Sequence, residues 1–339
     1  MIRVGVVGYG TIGKRIVSAV LKQPDMVLVG IVKKTPDYSV KVGLSKGLRF
    51  FIPNEDLTHL WDEAGTKFYG TTAQLLEECD LVVDATPKGT GMNNKMIYES
   101  KGLKAIFQGG EPPEVADLSF VAQVNYEDSS GKRFLRVVSC NTTGLARLLH
   151  AINQEYPIDK AIVFLVRRSV DPNQDEKGVI DCVVPSFGIS HHAKDLKTVL
   201  RDINVVTFAV KIPVTHFHVH MVSIKLRNGA SLRDVIDLLE ETRRIALISS
   251  KDKLSSTAKL FDFSRELERS RADFYENLVW LDSICVEGEW VHLMQAVHQE
   301  AIVIPENIDA IRAISNSADA TTSMNLTDSS LSIRSSRFF

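Results

Sequence analysis

The chain has 339 residues, enough for two domains that each bury a core. Its 44% hydrophobic and 24% charged residues describe an ordinary globular protein, and a formal net charge of -2 argues against nucleic-acid binding, which needs a basic surface. No apolar run approaches the roughly 18 residues that cross a bilayer, no charged leader precedes residues 1–7, and four scattered cysteines (Cys79, Cys140, Cys182, Cys285) make neither a disulfide framework nor a zinc ribbon, so a cytoplasmic chain without membrane attachment is expected.

Ile2 to Val7 reads as a short buried strand. It runs into Gly8-Tyr9-Gly10-Thr11-Ile12-Gly13, and Lys14 to Leu21 continues as a helix with Ile16, Val17 and Val20 inward. A G-x-G-x-x-G turn between strand and helix is a dinucleotide fingerprint. Its first glycine makes the turn, the second admits a pyrophosphate, and the third lets helix and strand pack closely. The helix N-terminus then faces the anion. A purely structural glycine turn is the alternative, but the setting favours an α/β, Rossmann-type dinucleotide-binding domain.

The next strand, Val27 to Val32, ends at Lys33-Lys34. NAD-specific folds usually carry Asp or Glu there for the ribose hydroxyls, whereas lysines suit a 2′-phosphate. Unless the pair is merely solvated, NADP is favoured, with NAD use open. Residues 35–70 are mixed, with turn signals at Thr35-Pro36-Asp37 and Ile52-Pro53-Asn54. A strand beginning at Leu81 ends in a turn at Thr86-Pro87-Lys88, and another, Ala105 to Phe107, ends at Gln108-Gly109-Gly110. Ligands in open α/β sheets lie beyond such carboxyl ends, and a glycine pair suits close backbone approach, though plain turns would look the same.

Leu135 to Val138 is a further apolar strand, broken at Ser139-Cys140-Asn141-Thr142-Thr143 and followed by Leu145, Leu148, Leu149 and Ile152 at helical spacing. Ser, Asn and Thr cap helix N-termini, so Cys140 is expected where free backbone N–H groups converge. That setting lowers a thiol's pKa and favours the nucleophilic thiolate. A small cysteine filling a strand end is the bland alternative.

After about residue 150 the runs become longer and β-rich: 161–167, 205–212, 217–226, 278–286 and 291–297, with helical segments at 193–201, 232–245 and 254–269. This pattern suggests an α+β domain on a mostly antiparallel or mixed sheet. By period two, His216, His218 and His220 share one strand face. H-x-H can ligate zinc, but no acidic or thiol ligand stands nearby, so no metal site is expected. A thiolate enzyme needs an imidazole to manage its proton, and one of these rings is the favoured candidate over a purely structural trio. Arg167-Arg168 at a strand end and Ser190-His191-His192-Ala193-Lys194 at a helix start would together hold a phosphate, or are solvated surface. Glu306 to Ile314 is a helix, and the polar tail 315–339 is expected to pack on the first domain or fray.

Taken whole, the chain resembles the archaeal, class II form of phosphorylating glyceraldehyde-3-phosphate dehydrogenase over essentially its full length. The resemblance is carried by GYGTIGKR (8–15), IFQGGE (106–111), VSCNTTGL (138–145), VRRS (166–169), SHHAKD (190–195), the His218-Val219-His220 strand, AVHQE (296–300) and PENIDAIRA (305–313). It implies Cys140 as nucleophile and His218 as base. Ser139, Asn141, His191 and His192, with Arg167 beside them, are implied as substrate and phosphate contacts. Thr11, Ile12, Gly110, Arg168 and Gln299 join the Gly8, Gly10, Gly13, Lys33 and Lys34 region as implied cofactor contacts. Phe217 replaces the Met expected before the H-x-H pair, and His216 adds a third imidazole.

The resemblance further implies oxidation of glyceraldehyde 3-phosphate through a Cys140 thioester that inorganic phosphate then attacks. NADP preferred over NAD and a cytoplasmic homotetramer are implied as well. The expected domains are 1–139, completed by the C-terminal segment 304–339, and 140–303. One rival is a semialdehyde or acyl-phosphate reductase of the same plan, which would also bind a substrate carboxylate. Another is a non-catalytic nucleotide-sensing Rossmann protein, which would need neither a capped cysteine nor a histidine strand.

Overall fold

In the computed structural model, residues 1–168 and 183–339 are described, so Ser169 of the VRRS run and Cys182 lie outside them. Two compact units result: Met1–Val138 with Ile304–Leu331, and Ser139–Val303 with Ser332–Phe339.

Short apolar runs alternating with helices build the first unit. Its strands are β1 (Ile2–Val7), β2 (Met26–Val32), β3 (Phe50–Phe51), β4 (Leu81–Asp84), β5 (Lys104–Gln108), β6 (Leu118–Phe120) and β7 (Phe134–Val137). They lie in the order β3-β2-β1-β4-β5-β7-β6, and every neighbouring pair is parallel. All four residues of β4 and of β7 are buried, as a sheet covered on both faces requires. With β2 on one side of β1 and β4 on the other, the strand order reverses at β1. A ligand crevice opens at the carboxyl ends of such a pair.

The helices Ile304–Ser315 and Ala320–Leu331 belong to this unit. Glu306 accepts the Ala122 amide at 2.6 Å, Asn307 and Gln108 exchange hydrogen bonds, and Arg312 pairs with Asp25 at 2.8 Å. The expected range 304–339 is too long by its last segment. Residues 332–339 join the second unit because Phe338 packs among Phe263 and Phe274, and Glu276 accepts the Arg334 amide.

The second unit holds β8 (Ile158–Arg168), β9 (Val184–Pro185), β10 (Val205–Ile212), β11 (Phe217–Leu226), β12 (Ile245–Ile248), β13 (Asn277–Trp280), β14 (Cys285–Glu287), β15 (Trp290–His298) and β16 (Ser336–Arg337). Their order is β16-β12-β13-β15-β11-β8-β10-β9, with β14 on β15. The β8–β10, β12–β13 and β12–β16 pairs are parallel and the others antiparallel, a mixed sheet. The helix Cys140–Glu155 buries Leu145, Leu148, Leu149 and Ile152, and approaches β15 closely at Gly144. A Cβ on Gly144 would come within 2.7 Å of Val297 Cγ2.

Several expected elements differ in detail, and the helix expected over 193–201 is His191–Leu196. The run 278–286 is not one strand but β13 and β14, parted by a turn at Leu281–Ser283. The helix expected over 232–245 ends at Glu241, and Ile245 opens β12 instead.

Candidate active site

Ser139 is extended and its hydroxyl accepts the Thr142 amide, so the helix Cys140–Glu155 begins at the cysteine itself. Thr142 Oγ1 in turn donates to Asp195 at 2.5 Å, tying this helix to His191–Leu196. β11 presents its even-numbered side chains to the same side, with His218, His220, Val222 and Ile224 buried. This brings His218 Nε2 to 3.4 Å from Cys140 Sγ. His216 does not share that face. Its φ is 69°, β11 begins only after it, and its ring lies against Phe261 at 4.5 Å.

The other nitrogen of His218, Nδ1, receives the backbone N–H of Arg168 at 3.2 Å. An amide can only donate, so the neutral ring carries its proton on Nε2, towards the sulfur. Burial among His220, Arg167, Arg168 and His192 holds the ring's pKa well below its ordinary value, so it stays neutral. Burial also pushes the Cys140 thiol up to about 11, against the pull of Arg167, the Asn141 amide and Arg168. The acidifying helix start expected from sequence is present, but desolvation outweighs it.

Neighbouring arginines on β8 differ sharply. Arg168 is buried; its Nε donates to Gln299 Oε1 and its Nη2 lies 3.3 Å from Glu300. Arg167 Nε is buried with no hydrogen-bond partner among the described residues, while desolvation lowers its pKa and the nearby Cys140 raises it. An anion beside the thiol would satisfy that donor. His191 is exposed and stacks on His192, with ring centroids 4.0 Å apart. His192 is buried, and its nitrogens meet Ser190 Oγ at 3.1 Å and Asn141 Nδ2 at 3.3 Å. Asn141 Oδ1 faces His220 Nε2 at 2.9 Å.

Thus Cys140, Asn141, Arg167, His192 and His218 gather in one cluster, with Cys140 and Arg167 half-buried and the other three buried, His191 at its edge and Ser139 as the cap. Sequence reading missed Gln295, Asn277 and Glu300. Gln295 had a signal: it is a buried amide inside the apolar run of β15, directly opposite His220.

In the first unit, the three glycines of the turn separate by cause. Gly8 has φ +100°, and a Cβ there would sit 2.6 Å from the Ala85 carbonyl; one on Gly13 would sit 2.0 Å from Gly8 O. A Cβ on Gly10 would have nothing within 4 Å among the described residues, so its bareness serves no packing there. The helix Thr11–Val20 that follows has no side-chain cap and no acidic residue in its first turn. A pyrophosphate fits that open, uncapped start, with Thr11 and Ile12 as its first residues. Lys33 Nζ is 2.9 Å from Asp37, while Lys34 is exposed. Desolvation would raise the Asp37 carboxyl, yet bonds from Ser39 and Lys33 carry it down to about 2. Gly110, past the end of β5, is likewise open, with Lys88 Cβ the nearest atom at 3.8 Å from an added Cβ.

Comparison with known proteins agrees with this division. Residues 2–108 match the family described as dihydrodipicolinate reductase, N-terminus, which spans the glycine turn. Residues 139–283 match glyceraldehyde 3-phosphate dehydrogenase, C-terminal domain, which spans Cys140 and His218. Relatives named glyceraldehyde-3-phosphate dehydrogenase include one from Metallosphaera sedula, 47% identical over 335 residues, and one from Thermoplasma volcanium, 47% identical over 334 residues; each match covers 98% of both chains. Another, from Archaeoglobus fulgidus, is 46% identical over 335 residues and 98% of both chains. With likeness running the full length and through the thiol–imidazole pair, the chain belongs to the glyceraldehyde-3-phosphate dehydrogenase family.

Proposed function

We propose that the chain catalyses the reversible, phosphorylating oxidation of D-glyceraldehyde 3-phosphate to 1,3-bisphosphoglycerate. The observation that supports this most is His218 Nε2 at 3.4 Å from Cys140 Sγ, with Nδ1 taken by the Arg168 amide, beside an Arg167 Nε that has no partner among the described residues. In this reading the thiol releases its proton to water, and His218 and Arg167 hold the thiolate. Sulfur attacks the aldehyde carbon, and the carbonyl electrons move onto oxygen. His218 Nε2–H and the Cys140 backbone N–H donate to that oxygen. When bound, the nicotinamide ring supplies the hydride acceptor, and a thioester remains on Cys140. Phosphate held by Arg167 and His191 then attacks the thioester; a C–O bond forms, the C–S bond breaks, and Cys140 leaves as thiolate. The covalent route retains oxidation energy that hydrolysis would dissipate. Ser139 and Asn141 shape the substrate end of this pocket.

NADP is the preferred cofactor of the proposal, with NAD accepted. Lys33 and Lys34 suit a 2′-phosphate, and the ionised Asp37 beside Lys33 suits a ribose hydroxyl. Gly8, Gly10, Gly13, Thr11, Ile12 and Gly110 line the dinucleotide. A homotetramer in the cytoplasm belongs to the same reading. Phe208, Phe164, Met221 and Met294 are exposed and stand directly opposite one another across β10, β8, β11 and β15, an apolar row that subunit contact would cover. Among the described residues, no helix is long and apolar enough to cross a membrane.

The deciding assay uses glyceraldehyde 3-phosphate with each cofactor, with and without inorganic phosphate. Reduction should require phosphate, and Cys140→Ser should abolish it while cofactor binding persists. Equal rates without phosphate would rule the reading out. Lys33→Asp should weaken NADP binding selectively.

A further inference from the structure

Behind the thiol–imidazole pair, seven polar side chains of the second unit, each at most 5% exposed, connect one backbone group to another. At one end stands the Gly144 carbonyl, which can only accept. Asn277 Nδ2 donates to it at 2.6 Å and Gln295 Nε2 at 3.4 Å. Asn277 Nδ2 also donates to Gln295 Oε1 at 2.8 Å, and Gln295 Nε2 donates to His220 Nδ1 at 3.1 Å. The neutral His220 ring therefore holds its proton on Nε2 and donates to Asn141 Oδ1 at 2.9 Å. Asn141 Nδ2 donates to His192 Nε2 at 3.3 Å, which leaves the His192 proton on Nδ1, facing Ser190 Oγ at 3.1 Å. Ser190 then donates to Thr207 Oγ1 at 2.7 Å.

The far end accommodates the same direction. Thr207 Oγ1 accepts the Ala193 amide at 3.1 Å, a group that can only donate, and passes its own hydrogen to the Ser190 carbonyl at 3.1 Å. Reversing any one amide would set acceptor against acceptor in a buried site.

We infer that His220, Asn141 and His192 are positioning residues in a one-way hydrogen-bond relay, which holds the first turn of the nucleophile's helix against the start of His191–Leu196 and transfers no proton. The inference rests on the proposed function and deepens it. Both nitrogens of His220 are consumed, so His218 is the one ring of the strand pair with a nitrogen facing the sulfur. Both nitrogens of His192 are consumed as well, which leaves His191 and Arg167 to meet phosphate. Asn141 follows Cys140 directly, and its amide N–H pulls the thiol's pKa down, so a tilt of its side chain would move a donor at the reacting sulfur. Burial agrees with permanently neutral rings: it carries His220 down to about 3 and, with His191 and Arg167 adding to it, His192 to about 2.

The test is ring-¹⁵N histidine NMR of the full chain from about pH 5.5 to about 9, rings assigned by single-histidine replacement. His220 should show Nε2–H, His192 Nδ1–H, and neither should titrate. A reversed tautomer in either ring, or a titration near pH 6 to 7, would overturn the inference. Kinetics give a second reading. His220→Gln can still accept from Gln295 and donate to Asn141, so kcat should stay within about tenfold of the parent with an unmoved pH profile, while His220→Leu should lose about a hundredfold. If His220→Gln falls as far as His220→Leu, or its acid limb shifts, the ring carries a proton and the relay fails. Should His220→Leu not fold, the His220→Gln profile and the NMR still decide. Failure of the proposed function is distinguishable: the parent would lack phosphate-dependent turnover with both tautomers as assigned.

Discussion

Arg167 and Arg168 are adjacent in the chain, yet only one has a side chain left for chemistry. Arg168 spends its guanidinium on Gln299 and Glu300 and its backbone N–H on His218, so it orients the imidazole. Arg167 is the largest influence that opposes the burial of the thiol. Replacing it with Ala should raise the Cys140 pKa further. One unit of that rise lowers the thiolate fraction tenfold, so iodoacetamide alkylation at pH 8 should slow by about tenfold and the phosphate KM should rise. An unchanged alkylation rate would remove Arg167 from the site. In the parent, alkylation should keep accelerating with pH towards the thiol's value of about 11. The glycines offer a second contrast. Gly8→Ala meets the Ala85 carbonyl at a left-handed backbone and should cost stability, whereas Gly10→Ala has room and should fold normally while losing cofactor affinity. Equal melting temperatures for the two variants would contradict this division. Periodicity could place His218 and His220 on one face, but not say which ring turns a nitrogen to the sulfur. That depends on Arg168 and Gln295, residues 50 and 75 positions away in the chain.

The helix Ala320–Leu331 is the element least visible in the sequence. Its buried positions, Ser323, Thr327 and Leu331, recur every four residues, but two of them are hydroxyls. An apolar stripe is what periodicity detects, and here the stripe is polar. Asp309 accepts from Ser323 at 2.7 Å and from Thr327 at 2.6 Å, and Arg312 Nη1 donates to Thr327 at 2.8 Å. Thr327→Val keeps the shape and removes both bonds, leaving a buried carboxylate and guanidinium less satisfied. It should cost about 1–3 kcal/mol in urea unfolding. A loss under about 0.5 kcal/mol would mean the polar stripe does not hold this helix. The break between β13 and β14 has a similar origin, since Asp282 leaves the strand to accept from the Ser250 amide and the Ser249 hydroxyl. Apolar content alone reads through such a turn.

For the molecule as a whole, the buried rings set an acid limit. His192, His218 and His220 have pKa values below the ordinary histidine value of about 6.5 that they regain on unfolding. Below that pH the unfolded chain binds more protons than the folded one, so acid favours unfolding; above about pH 7 these rings have no effect. Each contributes about 1.4 kcal/mol per pH unit, up to about 4 kcal/mol per unit for the three together. Urea unfolding at pH 7, 6 and 5 should show that fall, and His220→Gln should lessen it by about one proton. A flat profile would mean the rings are charged in the folded state. What the sequence determined by itself was local or periodic: the glycine turn, the capped cysteine, the strand placing two histidines on one face, and the motifs behind the family resemblance. These follow from sterics and capping within a few residues. Tertiary structure alone decided the direction of each hydrogen bond, the His218 nitrogen that faces the sulfur, the Arg167 Nε with no partner among the described residues and the raised thiol pKa. Those depend on desolvation and on backbone donors and acceptors brought together from distant strands.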